Sequence, residues 1–362
     1  MPLELYASKD LSQPLLCEIT EFLDSQETSH LFQFPQWNAG GAKFALLREG
    51  GAIRWFGTFG THSPLGSSLL GLSLPWMRAV IANRGPVCDD NRLWPTATEE
   101  FIKQMRLEGM TYCEVIPDWV QTTESNAEKN LRDSGWQGLG EERSSLRLDL
   151  TKSDDEIFAN FRKNSRYEIR RAERLGVSVV PASADVQIEE FLTLHARVAV
   201  RKGFLAEAPE DLRGAIRWLI GADSRGALLL AKAENQVYGG AVIGRAGKRC
   251  WYVWGAAEKH EQFNVGHILQ WRALLWAKSH GCREYDFGGY TPGATSGPAW
   301  FKAGFGGTVV RFVRPHRKII RRGYYRSFEL IFRMRELSRR PVLPRLVRNE
   351  LPSRISATPA EK

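Results

Sequence analysis

A mixed α/β fold in two successive domains is what this chain predicts, on three observations. Its 362 residues are enough for two cores of ordinary size. The hydrophobic share of 43% against 25% charged residues is that of a globular protein. Short strand-like runs alternate with helical segments through both halves instead of segregating into one of them.

Residues 1–150 are the first expected domain. Strand-like runs there are "AKFALLRE", "IRWFGTFG" and "TYCEVIP", and a helix is expected over about 96–108, starting near "TATEEFIKQM". "SLRLDL" (145–150) alternates apolar and polar residues and marks the junction. The second domain, 151–315, opens with a helix over about 154–175. The strand "VSVVPA", two helices around 185–200 and 209–221, and the strands "ALLLAKAE", "VYGGAVIGRAG" and "RCWYVWGAA" come next. The turn-like "AEN" and "RAGK" between them make antiparallel hairpins, after which the helix "GHILQWRALLWAKSHG" crosses over to the strand "CREYDFGG". That order suits an N-acetyltransferase-like sheet better than a doubly wound nucleotide fold. Residues 316–362 form a basic, partly helical tail.

The charge is uneven. The net +9 rests on the segment from Arg311 to Arg354, where fourteen Arg or Lys face three Glu, so the remainder sums to about −2. Within it Phe328, Ile331, Phe332 and Met334 lie on a stretch that winds into an amphipathic helix, suited to an anionic membrane surface or to nucleic acid phosphates. The beginning of the sequence has no secretory pattern, and no apolar run reaches the ~20 residues of a membrane span. Cysteines 17, 88, 113, 250 and 282 are odd in number and without C-x-x-C spacing, so neither a disulfide framework nor a zinc ribbon is expected. A cytoplasmic address, peripheral to the inner face of the membrane, follows.

"SDDEIFANFRKNSRYEIRRAERLGV" (153–177) carries the densest local signal. Ser153 and Glu156 form a capping box, and Gly176 ends the helix. Helical phase collects Phe158, Phe161, Ser165, Ile169, Ala172 and Leu175 on one side, and Lys163, Arg166, Arg170 and Arg174 within about 80° of one another on the other. Four aligned cations without an interleaved acid suit an anionic ligand. In the glycine-rich stretch 285–307, Asp286 at a strand end and Lys302 between Phe301 and Ala303 are the acid and base that the chain turns present.

Several chemistries are disfavoured. "DFG" (286–288) lacks the other kinase blocks, no P-loop or G-x-S-x-G elbow occurs, and "HEQFN" (260–264) has Asn264 where a zincin needs its second histidine. His195, His260, His267 and His280 are expected on helix surfaces or ends. "QFNVGHI" (262–268) stands where acetyltransferases offer amides to the coenzyme A pyrophosphate, but supplies Gly266 alone. No metal or cofactor is expected.

The blocks "FQFPQW" (32–37), "NRGPV" (83–87), "LDLTKSDDEIFANFRKNSRYEIRRAERLGV" (148–177), "RKGF" (201–204), "WYVWGAA" (251–257), "HILQWRALLWAKSHGCREYDFGG" (267–289) and "FKAGFGG" (301–307) occur in one order. In this the chain resembles the FemAB family of peptidoglycan aminoacyltransferases from about 30 to 312. The resemblance implies two tandem GNAT-like domains with a cleft between them. It also implies transfer of an amino acid from aminoacyl-tRNA to an amine of a peptidoglycan-precursor peptide, without a covalent intermediate. Lys302 matches the family's F-K lysine, placed for tRNA phosphate or a developing oxyanion; Asp286 is the carboxylate best placed to take a proton. Lys163, Arg166 and Arg170 match the basic helix, expected to meet the acceptor's diphosphate. Arg84 would line the cleft, with Arg201 and Tyr252 as further substrate contacts. The long helical hairpin of some relatives is absent, and "GYTPGATSGPAWFK" departs from their usual link. An acyl-CoA donor with an exopolysaccharide or other envelope acceptor, and a non-catalytic membrane-peripheral module, are the alternatives.

Overall fold

The computed structural model describes residues 3–338, except 39–40, 64–67, 70–71, 74–77, 90–92, 122–126, 222–223 and 296. It divides the chain into two compact units. Of the described residues, one comprises those up to Arg143 together with those from Arg311 to Ser338, the other those from Ser144 to Val310.

In the first unit, β1 (Leu3–Ala7) leads to α1 (Gln13–Ser25), capped by Ser12. β2 (Lys43–Glu49), β3 (Ala52–His62), the short β4 (Ser68–Leu69) and β5 (Leu72–Ser73), β6 (Ala79–Asn83) and β7 (Val87–Cys88) follow. α2 (Trp94–Leu107), β8 (Tyr112–Ile116), α3 (Ala127–Asp133) and β9 (Gln137–Gly138) complete it up to residue 143. The buried runs of β2, β3 and β8 explain their place inside the sheet, since a strand covered on both faces carries continuous apolar sequence. Trp55, Phe59 and Phe101 stack in the core against Val80, Trp94 and Val115.

The second unit starts one strand earlier than the apparent junction at 150. β10 (Arg143–Asp149) is followed by α4 (Asp154–Ala159), α5 (Lys163–Arg174), β11 (Ser178–Pro181), α6 (Asp185–Lys202) and α7 (Pro209–Ile220). Next come β12 (Gly226–Ala233), β13 (Gln236–Ala246), β14 (Arg249–Ala257), α8 (Val265–Ser279), β15 (Glu284–Gly289), α9 (Gly297–Ala303) and β16 (Thr308–Phe312). The sheet order is β11-β12-β13-β14-β15-β10-β16. Neighbours from β11 to β14 are antiparallel, and α8 crosses over so that β15 runs parallel to β14, as the hairpin pattern predicted. Adjacent glycines on β13 let helices approach opposite faces: a Cβ on Gly239 would lie 2.7 Å from Val265 of α8, one on Gly240 2.5 Å from Phe191 of α6.

Two expectations change. The helix over 154–175 is two helices. The capping box at Ser153 and Glu156 forms as expected, but Arg162 is extended (ψ 149°), its N–H donates to Gly304 O, and α5 starts afresh at Lys163. The expected apolar face is nonetheless kept through the break, with Phe161, Ser165, Ile169 and Ala172 buried and Phe158 packed against the same core; only Leu175, at the C-cap of α5, departs from it, 43% exposed. The tail also does more than solubilise. β17 (His316–Ile319) inserts between β8 and β9 of the first unit's sheet, antiparallel to both. The Arg317 guanidinium is paired with Glu114, donates to the Tyr325 hydroxyl at 2.7 Å and lies over the Tyr112 ring. α10 (Arg322–Ser338) continues from it. The side chains of Phe328, Phe332 and Met334 lie outside the described residues, as does everything past 338.

Candidate active site

β14 and β15 pair in parallel only from Arg249↔Glu284 to Trp251↔Asp286. Beyond that point the register of β14 on β13 jumps, so that Ile243 faces Tyr252 and Val242 faces Trp254, leaving Val253 as a bulge. On its other side β15 is paired with β10 along its length, Arg147 opposite Asp286 and Ser145 opposite Gly289, and stays with β10 after β14 has left it. The two strands part at their carboxyl ends, and the glycine-rich stretch begins there. Gly288 has φ +74°, a conformation that favours glycine.

Asp286 lies at this fork, 2% exposed. One carboxylate oxygen accepts from the Ser145 hydroxyl and from Gly288 N–H (2.8 Å), the other from Arg147 Nε at 2.9 Å. Arg147 is itself 7% exposed, so this is a buried ion pair with its remaining lone pairs met by hydrogen bonds. A carboxylate whose two oxygens are both taken by protein donors holds the strand end in place, which suits a positioning role rather than the catalytic one expected of it. Ser145 and Arg147 were missed in the sequence because alternation along "SLRLDL" reads them as a solvent face. What could have found them is Arg147 as an unpaired-looking cation inside an otherwise apolar strand, calling for a buried acid.

Lys302, on α9, is 8% exposed and donates from Nζ to Gly289 O at 2.6 Å. Burial pushes its pKa down from 10.5 to about 8, and the nearby charge of Asp286 partly opposes that shift. Asp286 and Lys302 are thus brought together around the end of β15, one through its carboxylate and one through the Gly289 carbonyl. Gly304, just after, lies against Ser165 of α5, where a Cβ would come within 2.5 Å of the hydroxyl. The segment is therefore seated on the basic helix. Trp300 is 39% exposed under the Arg162 guanidinium, while Phe301 packs edge-on to His267. His267 and His195 are buried, 4% exposed each, rather than on helix surfaces. Burial drives His267 down to about 4, so it is neutral.

The other predicted contacts are scattered. Lys163 and Arg170 are exposed on α5, Arg170 with its guanidinium over the Phe158 ring. Arg166 is turned inward, donating to Ala159 O (2.5 Å) and Phe161 O (2.6 Å) at the end of α4; it caps a helix. Arg201 donates to Ala257 O at 2.8 Å, joining the end of α6 to the end of β14. Tyr252 is half-buried, and its ring folds back over Gly255; burial lifts its hydroxyl to about 12. Arg84, in the first unit, has φ +59° and is paired with buried Asp118 at 2.8 Å. The Gln33 amide packs on the adjoining Gly85, donates to Asn83 O and accepts from Thr58 N–H, and so ties the block "FQFPQW" to "NRGPV".

The N-terminus of α8, where a pyrophosphate would sit, is closed. Asn264 Oδ1 accepts from Gly266 N–H at 3.0 Å, and the Phe301 ring lies 3.5 Å from where a Gly266 Cβ would be. Among the described residues no group of His, Cys, Asp and Glu is arranged to hold a metal, and no helix is long and apolar enough to cross a membrane.

The parted parallel strands and the crossover helix are those of the GNAT fold. Residues 159–302 match the acetyltransferase (GNAT) domain family. The chain is built as tandem GNAT-like units and is similar to proteins of the FemAB type. It is 23% identical to a UDP-N-acetylmuramoylpentapeptide-lysine N(6)-alanyltransferase of Weissella viridescens, over 62% of this chain and 70% of that protein. Over 63 residues, 17% of this chain and 15% of the relative, it is 38% identical to a lipid II:glycine glycyltransferase of Staphylococcus haemolyticus. In fold it is similar to FemX (TM-score 0.74, 18% identity, 90% of this chain and 100% of that one). It is also similar to L-PGS from Bacillus licheniformis (TM-score 0.55, 14% identity, 89% and 96%).

Proposed function

We propose that this protein transfers an amino acid from aminoacyl-tRNA to an amine on the peptide of a peptidoglycan precursor, nucleotide-linked or lipid-linked, without a covalent intermediate. The observation that carries this is Lys302: a buried ammonium, fixed by one hydrogen bond to Gly289 O, with two N–H donors left for a substrate oxygen. With a pKa of about 8 it is about nine-tenths protonated at pH 7. The acceptor amine attacks the ester carbonyl, and the ammonium meets the negative charge that develops on the carbonyl oxygen. The C–O bond to the ribose breaks as the C–N bond forms, and the proton lost by the amine ends on the leaving ribose oxygen. Asp286 and Arg147 act as positioning residues, holding the strand end whose Gly289 carbonyl orients Lys302. Lys163 and Arg170, at the first turns of α5, meet phosphates of the acceptor. Arg84, Arg201 and Tyr252 shape the substrate-binding surfaces of their own units.

The names of the two relatives, both aminoacyl transferases on cell-wall precursors, support the reaction class. The ester is already activated, so no cofactor is needed. An acyl-CoA donor, acting on an envelope polysaccharide intermediate, is supported by the GNAT match and opposed by Asn264 and Phe301 at the N-terminus of α8. The exposed cations Arg322, Arg326 and Arg333 of α10, with Leu330 60% exposed, suit reversible contact with an anionic membrane face at about 1 kcal/mol per cation.

The test is transfer of radiolabelled amino acid from charged tRNA to UDP-N-acetylmuramoylpentapeptide or its lipid-linked form by the purified chain. Ribonuclease-sensitive labelling of the peptide is expected. Labelling from acetyl-CoA instead, with none from any aminoacyl-tRNA, would overturn the donor.

A further inference from the structure

The outward face of α5 is not the one that the sequence drew. With Arg166 turned to the end of α4, helical phase leaves Lys163, Tyr167, Arg170, Arg171 and Arg174 within about 100° of one another, opposite buried Ser165, Ile169 and Ala172. Tyr167 is 51% exposed. Tyr167, Arg171, Arg174, Leu175 and Gln262 line a shallow open groove of about 480 Å³ between the C-terminal half of α5 and the loop before α8.

The charges around it do not cancel. Glu173, the acid nearest in sequence, is paired with Arg272 at 3.2 Å. Lys259 and Glu261 on the loop offset one another. Among the described residues Arg171 and Arg174 have no carboxylate within ion-pair distance. An aromatic ring and an apolar side chain left in solvent beside two uncompensated guanidinium groups form a stacking platform with phosphate clamps. At the other end of α5, about 16 Å away along the axis, Arg162 lies over exposed Trp300, two residues from Lys302. A nucleic acid strand at ~3.4 Å per stacked nucleotide covers that length with about five.

We infer that this groove is a docking site for single-stranded RNA, its bases stacking on Tyr167 and its phosphates meeting Arg171 and Arg174. The inference rests on the RNA-borne donor proposed above and gives that donor's single-stranded end a track along α5 toward Lys302. A lipid surface is less suited, because the groove is concave and only two of its lining residues are large and apolar. A free nucleotide would leave the far end of the track unused.

The experiment measures binding of a fluorescein-labelled pentaribonucleotide ending in CCA by anisotropy, with the full chain, as a function of salt. Wild type is expected to bind. Arg171→Glu with Arg174→Glu is expected to weaken binding at least tenfold and to reduce the salt slope by about 1.4, and Tyr167→Ala to weaken it five- to tenfold without changing that slope. Circular dichroism and urea midpoints of the variants control for folding. Binding unchanged in both variants, or none by wild type, overturns the groove. So does loss in the same variants of binding to UDP or to phosphatidylglycerol vesicles with RNA binding kept. The donor is judged separately. If wild type transfers from aminoacyl-tRNA and the double variant does so with unchanged KM, the groove falls and the donor stands. If no aminoacyl-tRNA serves wild type while the oligonucleotide still depends on Arg171 and Arg174, the donor falls and the groove stands.

Discussion

Replacing Lys302 with methionine separates stability from activity at one atom. The shift of the lysine from 10.5 to about 8 corresponds to about 3 kcal/mol by which the site disfavours the ammonium relative to water. Methionine fills a similar volume without the charge, and losing the hydrogen bond to Gly289 O returns about 1 kcal/mol. Lys302→Met is thus expected to stabilise the second unit by about 2 kcal/mol at pH 7. The sign can be followed with pH. Because the folded pKa lies below the unfolded one, the unfolded chain binds more protons between about pH 8 and 10.5. Wild-type stability therefore rises by about 3 kcal/mol across that window, and the variant's advantage of about 2 kcal/mol vanishes and becomes a deficit of about 1 kcal/mol. Transfer behaves oppositely: loss of an oxyanion donor lowers kcat by about 10²–10³, and the kcat/KM of wild type falls as pH rises through about 8. Hydrogen exchange of amides in residues 144–310, read with single-turnover transfer, measures both. A variant with full activity refutes the catalytic assignment; one destabilised by several kcal/mol at every pH refutes the account of burial.

Asp286→Asn should destabilise the second unit by about 3 kcal/mol, since it takes from buried Arg147 the nearer of its carboxylates and leaves Glu284 at 3.8 Å; a urea midpoint equal to wild type would show the pair to be ornamental. His267 is neutral when folded, with its pKa near 4, so its stabilising contribution is lost as pH falls from about 6.5 toward 4. His267→Phe should flatten that part of the acid-unfolding curve, and an unchanged acid limb refutes the assignment. Gly85→Ala should weaken the first unit by about 1–3 kcal/mol, because the new methyl group would come within 2.3 Å of the Gln33 amide that bonds Thr58 and Asn83; differential scanning calorimetry checks this. A chain ending after Arg314 loses β17 together with the Arg317–Glu114 pair, and should be recovered with its first unit unfolded by circular dichroism.

Much of this was legible beforehand. Hairpins and a crossover helix in the second half follow from period-2 runs broken by "AEN" and "RAGK", local signals that tertiary packing did not override. Lys302 and Asp286 stood out because glycines crowd them. What escaped depended on distant partners. Arg147 looks like a surface residue until Asp286 is seen opposite it in register. Arg166 looks like one of four equivalent cations until the break at Arg162 turns it onto the carbonyls of Ala159 and Phe161. Counting Arg166 on the outward face centres that face away from Tyr167 and Arg171; with Arg166 turned to the end of α4, the centre moves toward them. The tail read as a separate basic segment because its four-residue strand, His316–Ile319, is too short and too charged to signal its place inside a sheet.

That strand has a consequence for how the protein is made. On a ribosome the chain emerges from its amino end, and β8 must wait, with its hydrogen-bonding edge open, until residue 319 has been translated. By then every strand of the second unit is already available to fold. The half that is written first is therefore the half that is finished last, and a nascent chain stalled between β8 and β17 carries an unpaired edge.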